Sequence, residues 1–163
     1  MKKLFIFIFI SILSLEFANA RGIALGFNST EVGEEDAEYG LHITLENYSR
    51  IDDSAFISGV SFNYDAYKKD DKENIMSLDY GFGFSADKKL NFYASYGLAY
   101  QVNSSDTVDA STGLGWGVGL SYRLSKQTYA EVKHRSYKFA DDLNGQIANY
   151  DAGITSFAVA YMF

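Results

Sequence analysis

From Gly22 to the C terminus, large apolar residues recur at every second position in stretches of about ten, the period at which a strand turns its side chains to alternate faces. Ile23, Leu25 and Phe27 alternate with Gly22, Ala24, Gly26 and Asn28, and Tyr39, Leu41, Ile43 and Leu45 with Glu38, Gly40, His42, Thr44 and Glu46. Phe56, Val60, Phe62 and Tyr64 form the next apolar face, with Ile57 and Ser58 reversing the pattern locally. Met76 to Phe84 and Leu90 to Val102 continue it, and then Leu114, Trp116, Val118, Leu120, Tyr122 and Leu124 face four alternating glycines, Gly113, Gly115, Gly117 and Gly119. Residues 128–139 and 150–163 close the series. The pattern predicts eight strands. Their connections alternate between charged or polar loops (residues 29–36, 68–73, the stretch around Asp106, and 140–149) and short turns near 49–54, 87–89 and 125–127.

A soluble sheet buries one face and wets the other. Here the apolar face is continuous and aromatic while the opposite one is small and polar, with four glycines in alternation that would pack poorly in a soluble strand. This suits an all-β, eight-stranded antiparallel up-and-down transmembrane β-barrel, apolar toward lipid and filled with side chains inside. Ten tilted residues cross a hydrocarbon band of about 25 Å. An even strand number leaves both termini on one side, the side of the short turns.

Composition narrows the class. Proline and cysteine are absent, so no ladder hydrogen bond is forfeited and no disulfide, thiol chemistry or lipidated cysteine is available. Aromatics reach 17% with a mean hydropathy of only -0.13, as expected when alternate residues alone must be apolar. Residues 1–20 read as a signal peptide: Lys2 and Lys3, an apolar run from Leu4 to Leu15, and Ala18-Asn19-Ala20 before the cut. Residues 21–163 are then one barrel domain. Its charge is the whole chain's -7 less the leader's +1, hence -8, which argues against nucleic acid as a partner. No cofactor or metal motif is visible.

The final strand, YDAGITSFAVAYMF, sets Tyr161, Val159 and Phe157 on the face of the terminal Phe163 and Met162, Ala160 and Ala158 on the other. This ending resembles the C-terminal signal of bacterial outer-membrane barrels, with Phe163 and Tyr161 as the residues read by the outer-membrane assembly machinery. In size, rhythm and ending the chain resembles the small eight-stranded barrels of the OmpX, opacity-protein and OmpA-barrel type. The resemblance implies a Gram-negative outer-membrane protein with periplasmic termini and a structural, adhesion or surface-interaction role, not an enzyme. Its partners would be outer-membrane lipid, lipopolysaccharide and an extracellular ligand of the outer loops. Those loops are acidic: Glu31, Glu34, Glu35 and Asp36, then Asp106 and Asp109, then Asp141 and Asp142. Divalent cations bridging to lipid phosphates would suit them.

Strand parity also sorts the remaining charges. Glu38, Glu46, Asp65, Asp79 and Glu131 point inward with Arg123, Lys133 and Arg135, and His42 lies near them. They form either an ion pathway or a salt-bridged plug, and a barrel this narrow favours the plug, with Glu38, Glu46 and Asp79 as partners of Lys133 and Arg135. His134 and Ser136 share the lipid-facing parity near the upper rim. A hairpin about Asn144-Gly145 brings Asp151 within about two residues of Ser136. This group resembles the lipid A deacylases of the PagL type. The resemblance implies the alternative function, a lipid A modifying hydrolase with Ser136 as nucleophile, His134 as base and Asp151 nearby. The sequence departs from that family after the serine, where Tyr137 replaces an asparagine.

Overall fold

The computed structural model describes residues 21–50, 55–67, 73–86, 89–103, 109–143 and 146–163; residues 1–20, expected to be a signal peptide, lie outside them. Eight strands follow one another: β1 (Gly22–Val32), β2 (Glu38–Arg50), β3 (Phe56–Tyr67), β4 (Glu73–Ala86), β5 (Leu90–Asn103), β6 (Asp109–Arg123), β7 (Thr128–Leu143) and β8 (Gln146–Met162). Each pairs antiparallel with its sequence neighbour, and β1 closes on β8, so the sheet is a barrel without an edge.

The register fixes the barrel's dimensions. Gly22 opposes Glu46, and the line continues through Ser61, Asp79, Gly97, Gly115, Tyr137 and Ala152 to Val32. A circuit of the wall that leaves β1 at residue 22 returns at residue 32, a stagger of ten. For eight strands this means a tilt of about 40°, a climb of about 2.5 Å per residue along a strand, and about 3 Å per strand around the wall.

Alternation holds throughout. Phe27, Phe82, Tyr96, Trp116, Phe157 and Phe163 stand exposed on the outer wall, whereas Asn63, Ser77, Ala152 and Ser156 are buried inside. Ile57 faces in and Ser58 out in unbroken alternation, so the local reversal of polarity is an apolar residue in the lumen, not a slip of register. Aromatic rings gather at the turn end, where Phe56 meets Phe84 edge-on at 6.4 Å and Tyr161 meets Phe163 at 6.0 Å. Such girdles suit an apolar wall meeting an interface.

The strands run longer than the apolar stretches. β7 and β8 have 16 and 17 residues and pair as far as Leu143 opposite Gln146, so most of the expected 140–149 loop is ladder. Loss of apolar alternation marks where the wall leaves hydrocarbon; the backbone goes on pairing because its donors and acceptors still need partners. β1 likewise extends to Val32 before Gly33 turns the chain with φ +62°, its N–H donating to Asp151 O at 2.8 Å. Asn144 and Gly145 lie outside the described residues.

Inside, β6 opposes its four glycines to the four longest inward side chains of β7: Gly113 to Phe139, Gly115 to Tyr137, Gly117 to Arg135 and Gly119 to Lys133. A Cβ on Gly117 would lie 2.8 Å from Ser95 Oγ and 2.9 Å from Arg135 Cγ, and one on Gly115 would collide with Ser136 O and the Tyr137 ring. We expect Gly115→Val to cost about 1–3 kcal/mol or more, measured by urea titration of the folded fraction in lipid vesicles. Gly153→Ala, whose new methyl would have His134 Cε1 at 3.9 Å as its nearest neighbour, should stay within about 0.5 kcal/mol of the parent.

Candidate functional site

Two places gather polar side chains in unusual surroundings, the lumen and one strip of the outer wall. Alternate residues of β7 (Glu131, Lys133, Arg135, Tyr137 and Phe139) project into the lumen and set its three layers. Farthest from the turns, Tyr137 and Phe139 pack with Tyr67, Ile75, Ala99, Ala152 and Ile154, and Phe139 stacks on Tyr150 at 5.3 Å. Gln101 donates to the Tyr67 hydroxyl at 2.7 Å and accepts from the Tyr150 hydroxyl at 2.8 Å across the same level.

The middle layer centres on Arg135, only 2% exposed, which donates through both terminal nitrogens to Asp65 at 2.8 and 3.0 Å. His42 links Asp65 to Thr44, with its two ring nitrogens 2.7 Å from each. Asn28 also donates to Asp65 at 3.0 Å. Asp79 takes hydrogen bonds from Tyr137 (2.8 Å), Asn63 (2.8 Å) and Ser77 (3.1 Å) instead of a cation. Nearer the turns, Lys133 bridges Glu46 at 2.5 Å and Glu131 at 2.7 Å. Below them a cavity of about 280 Å³ opens toward the turn end, lined among others by Tyr48, Tyr93, Tyr129 and Arg123.

The lumen therefore joins Glu46, Glu131 and Lys133 in one cluster and brings Arg135 near Asp79, but the partners differ from those parity suggested. Arg135 takes Asp65, because that residue and not Asp79 lies straight across at its level. Glu38 is half-buried at the end of β2 and forms none of the ion pairs among the described residues. Arg123 is no part of the network: it sits at the turn end, donating to Ser125 O at 3.0 Å and Lys126 O at 2.9 Å, above the Tyr129 ring. The apolar layer was legible in parity, since Tyr137 and Phe139 share the face of Arg135. The hydrogen-bond partners of Asp79 had no sequence signal.

On the outer wall, Ser136 lies opposite Trp116 on β6 and Gly153 on β8; His134 lies opposite Val118 and Thr155. His134 Nδ1 is 3.0 Å from Thr155 Oγ1, and its ring meets Trp116 edge-on at 6.1 Å. Among the described residues no hydrogen bond joins His134 to Ser136 or Asp151. Asp151 stands opposite Lys138, two residues along β8 from the partner of Ser136. The three side chains share a face without forming a relay. His134 is also not at the rim: with the tilt above it lies roughly 9 Å to the turn side of Tyr39 and Tyr100, inside the apolar band. Among the described residues no three His, Cys, Asp or Glu side chains converge as a metal site.

Residues 5–163 match the family described as outer membrane protein beta-barrel domain. Among solved structures, Ail, the attachment invasion locus protein of Yersinia pestis, is 14% identical, with 87% of this chain and 97% of that one covered at a TM-score of 0.62. Ail has also been solved in complex with the heparin analogue sucrose octasulfate. Neisserial surface protein A is 16% identical over 87% and 96% of the two chains, TM-score 0.61. The outer membrane enzyme PagL is 12% identical over 83% and 97%, TM-score 0.50. No curated protein matches the sequence.

Breaking the central pair should be costly. Asp65→Asn or Arg135→Met leaves an uncompensated buried charge or its unmet donors, and each should lose about 3–5 kcal/mol in denaturant titrations of the reconstituted barrel. The double variant Asp65→Leu/Arg135→Met should recover much of that loss; a double variant as unstable as the sum of the singles would show that the pair is not a closed unit.

Proposed function

The chain belongs to the outer membrane protein beta-barrel domain family, and from that premise we propose that it is a plugged, non-catalytic barrel that acts through its far end, exposed outside the cell. The observation that carries this reading is the filled lumen. The Tyr137–Phe139 layer and the Arg135–Asp65 pair cross it one above the other, leaving side chains where a pore would run. The work then falls to the surface: envelope structure, adhesion or contact with an extracellular partner.

Charge supports the orientation. Residues 31–38, 68–73, 106–109, 138–142 and 151 hold thirteen acidic and four basic side chains, net -9; residues 21, 50–53, 87–89 and 123–126 hold six basic and three acidic, net +3. Extended β7 and β8 project the acidic end beyond the apolar wall. A sulfated polyanion like that bound to Ail would be repelled by such an end, so a cationic partner, or an anionic one bridged by divalent ions, fits better. Phe163 and Tyr161, exposed at the turn end, stand where an assembly factor in the periplasm would read them after removal of residues 1–20.

A second reading, lipid A hydrolysis by Ser136, is favoured by one observation, the common lipid-facing side of Ser136 and His134. It lacks the Ser–His hydrogen bond that nucleophile activation uses.

Three measurements test these readings. An epitope inserted between Asn144 and Gly145 should bind antibody on intact cells, whereas one at Lys126 should bind only after the outer membrane is opened; the reverse result overturns the orientation. Planar bilayers should show no stable open conductance, and a steady channel would overturn the plug. Lipid A from producing cells should be unchanged by mass spectrometry; loss of an acyl chain that Ser136→Ala abolishes would make the protein an enzyme.

A further inference from the structure

The strip around His134 has a further property, the vertical order of its chemistry. At the turn side the wall between β1, β6, β7 and β8 holds an apolar groove lined by Leu25, Phe27, Leu120, Val132, Phe157 and Val159. Above it come His134, Thr155 and Ser136, with the bare backbone of Gly153 between them. Above these stands Lys138, exposed, on the edge of a second groove with Leu98, Leu114 and Asn149. Lys138 forms no ion pair with Asp151 among the described residues, and it carries the only positive charge on the lipid-facing parity of β7.

Polar groups on a lipid face are costly when nothing answers them. Thr155 engages His134 Nδ1; among the described residues Nε2 and the Ser136 hydroxyl have no partner. Neighbouring strands at the level of His134 present Trp116, Leu98 and Phe27, and Ser29 of β1, opposite Thr155, extends the polar patch by one strand, so the break in the apolar wall is local. Its depth is informative: His134 lies roughly 9 Å below the rim, deeper than the ester groups of an ordinary two-chain phospholipid, which sit at the interface.

We propose that this strip, a cation above buried hydrogen-bonding groups above an apolar groove, is a seat for one lipid A molecule. Lys138, a local cation on an otherwise acidic end, meets one phosphate, with divalent ions bridging the other to the neighbouring carboxylates; Ser136 and His134 meet the hydroxyl or ester groups carried on its acyl chains, and one chain lies along Phe157 and Val132 over the small Ala130. The site binds without cleaving, since no proton relay connects its groups. The assignment rests on the proposed outward orientation, which places the strip in the leaflet that holds this lipid; the test below uses symmetric vesicles and so does not depend on orientation.

Trp116 is the single tryptophan of the chain and touches His134, so its fluorescence reports on the lipid beside the strip. The full barrel is reconstituted in vesicles of phosphatidylcholine with brominated chains, which quench Trp116, and the brominated lipid is replaced in steps by lipid A, by phosphatidylglycerol or by unbrominated phosphatidylcholine. Lipid A should relieve quenching with a relative affinity about threefold to tenfold above phosphatidylcholine, the scale of one or two net hydrogen bonds. Ser136→Ala/Lys138→Ala should bring that ratio back to about one while keeping the heat-dependent gel shift of a folded barrel. Should the double variant fail to fold, Thr155→Val, which frees His134 and removes a hydroxyl from the strip, should halve the ratio or more. A ratio of one for the parent protein, or a preference that survives in a folded variant, overturns the seat. An equal preference for phosphatidylglycerol overturns the assignment to lipid A.

Discussion

Hydrocarbon offers no hydrogen bonds, so every backbone donor and acceptor that crosses it must be paired within the protein. For a sheet that requirement has one complete solution, closure of the first strand on the last. Here β1 and β8 pair along the whole of β1, and Gly33 and Phe163 add a hydrogen bond beyond each end. Closure with eight strands and a stagger of ten sets a narrow lumen. The width is therefore a consequence of backbone pairing, and the side chains had to be chosen to fit it.

The fit is made by asymmetry between neighbouring strands. β7 sends Lys133, Arg135, Tyr137 and Phe139 across the lumen, and β6 sends nothing, since its inward positions there are glycines. The long side chains lie over the bare strand and reach the opposite wall, where β2, β3 and β4 supply Glu46, Asp65 and Asp79. Lys133 and Arg135 from one side meet Glu46 and Asp65 from the other, Glu131 joins Lys133 from its own strand, and Asp79 is answered by hydroxyl and amide donors, so that buried charges do not stand alone. The apolar layer above caps that network on its far side, and the cavity at the turn end reaches Glu46 and Glu131 from below. The packing of the lumen is thus shared among many contacts from several strands.

The outer wall follows a simpler rule with one local exception. Apolar side chains cover it from the aromatic girdle at the turn end to Tyr39 and Tyr100, except where β7 and β8 turn polar early. Because the strands are tilted, that change falls inside the band. Position along the axis gives His134 its significance, and that position is set by the stagger of all eight strands.

How much of this was legible in the sequence depended on the range of the interaction. Period-two alternation and the lack of proline determined the strand number, the parity of each residue and the membrane class, because those are local properties of a pleated chain facing two solvents. Parity alone placed Glu46, Glu131, Lys133 and Arg135 inside and His134 and Ser136 outside. It could not choose Asp65 over Asp79 as the partner of Arg135, tie Arg123 to the carbonyls of its turn and not to the charge network, extend β7 and β8 through a polar stretch, or lower His134 from the rim into the band. Those outcomes depend on how far each strand is staggered around the closed wall, which turns residue numbers into heights and decides which side chains meet. The sequence by itself determined which face each residue occupies; only the closed tertiary structure decided its level and partner, because closure is a condition on all eight strands at once.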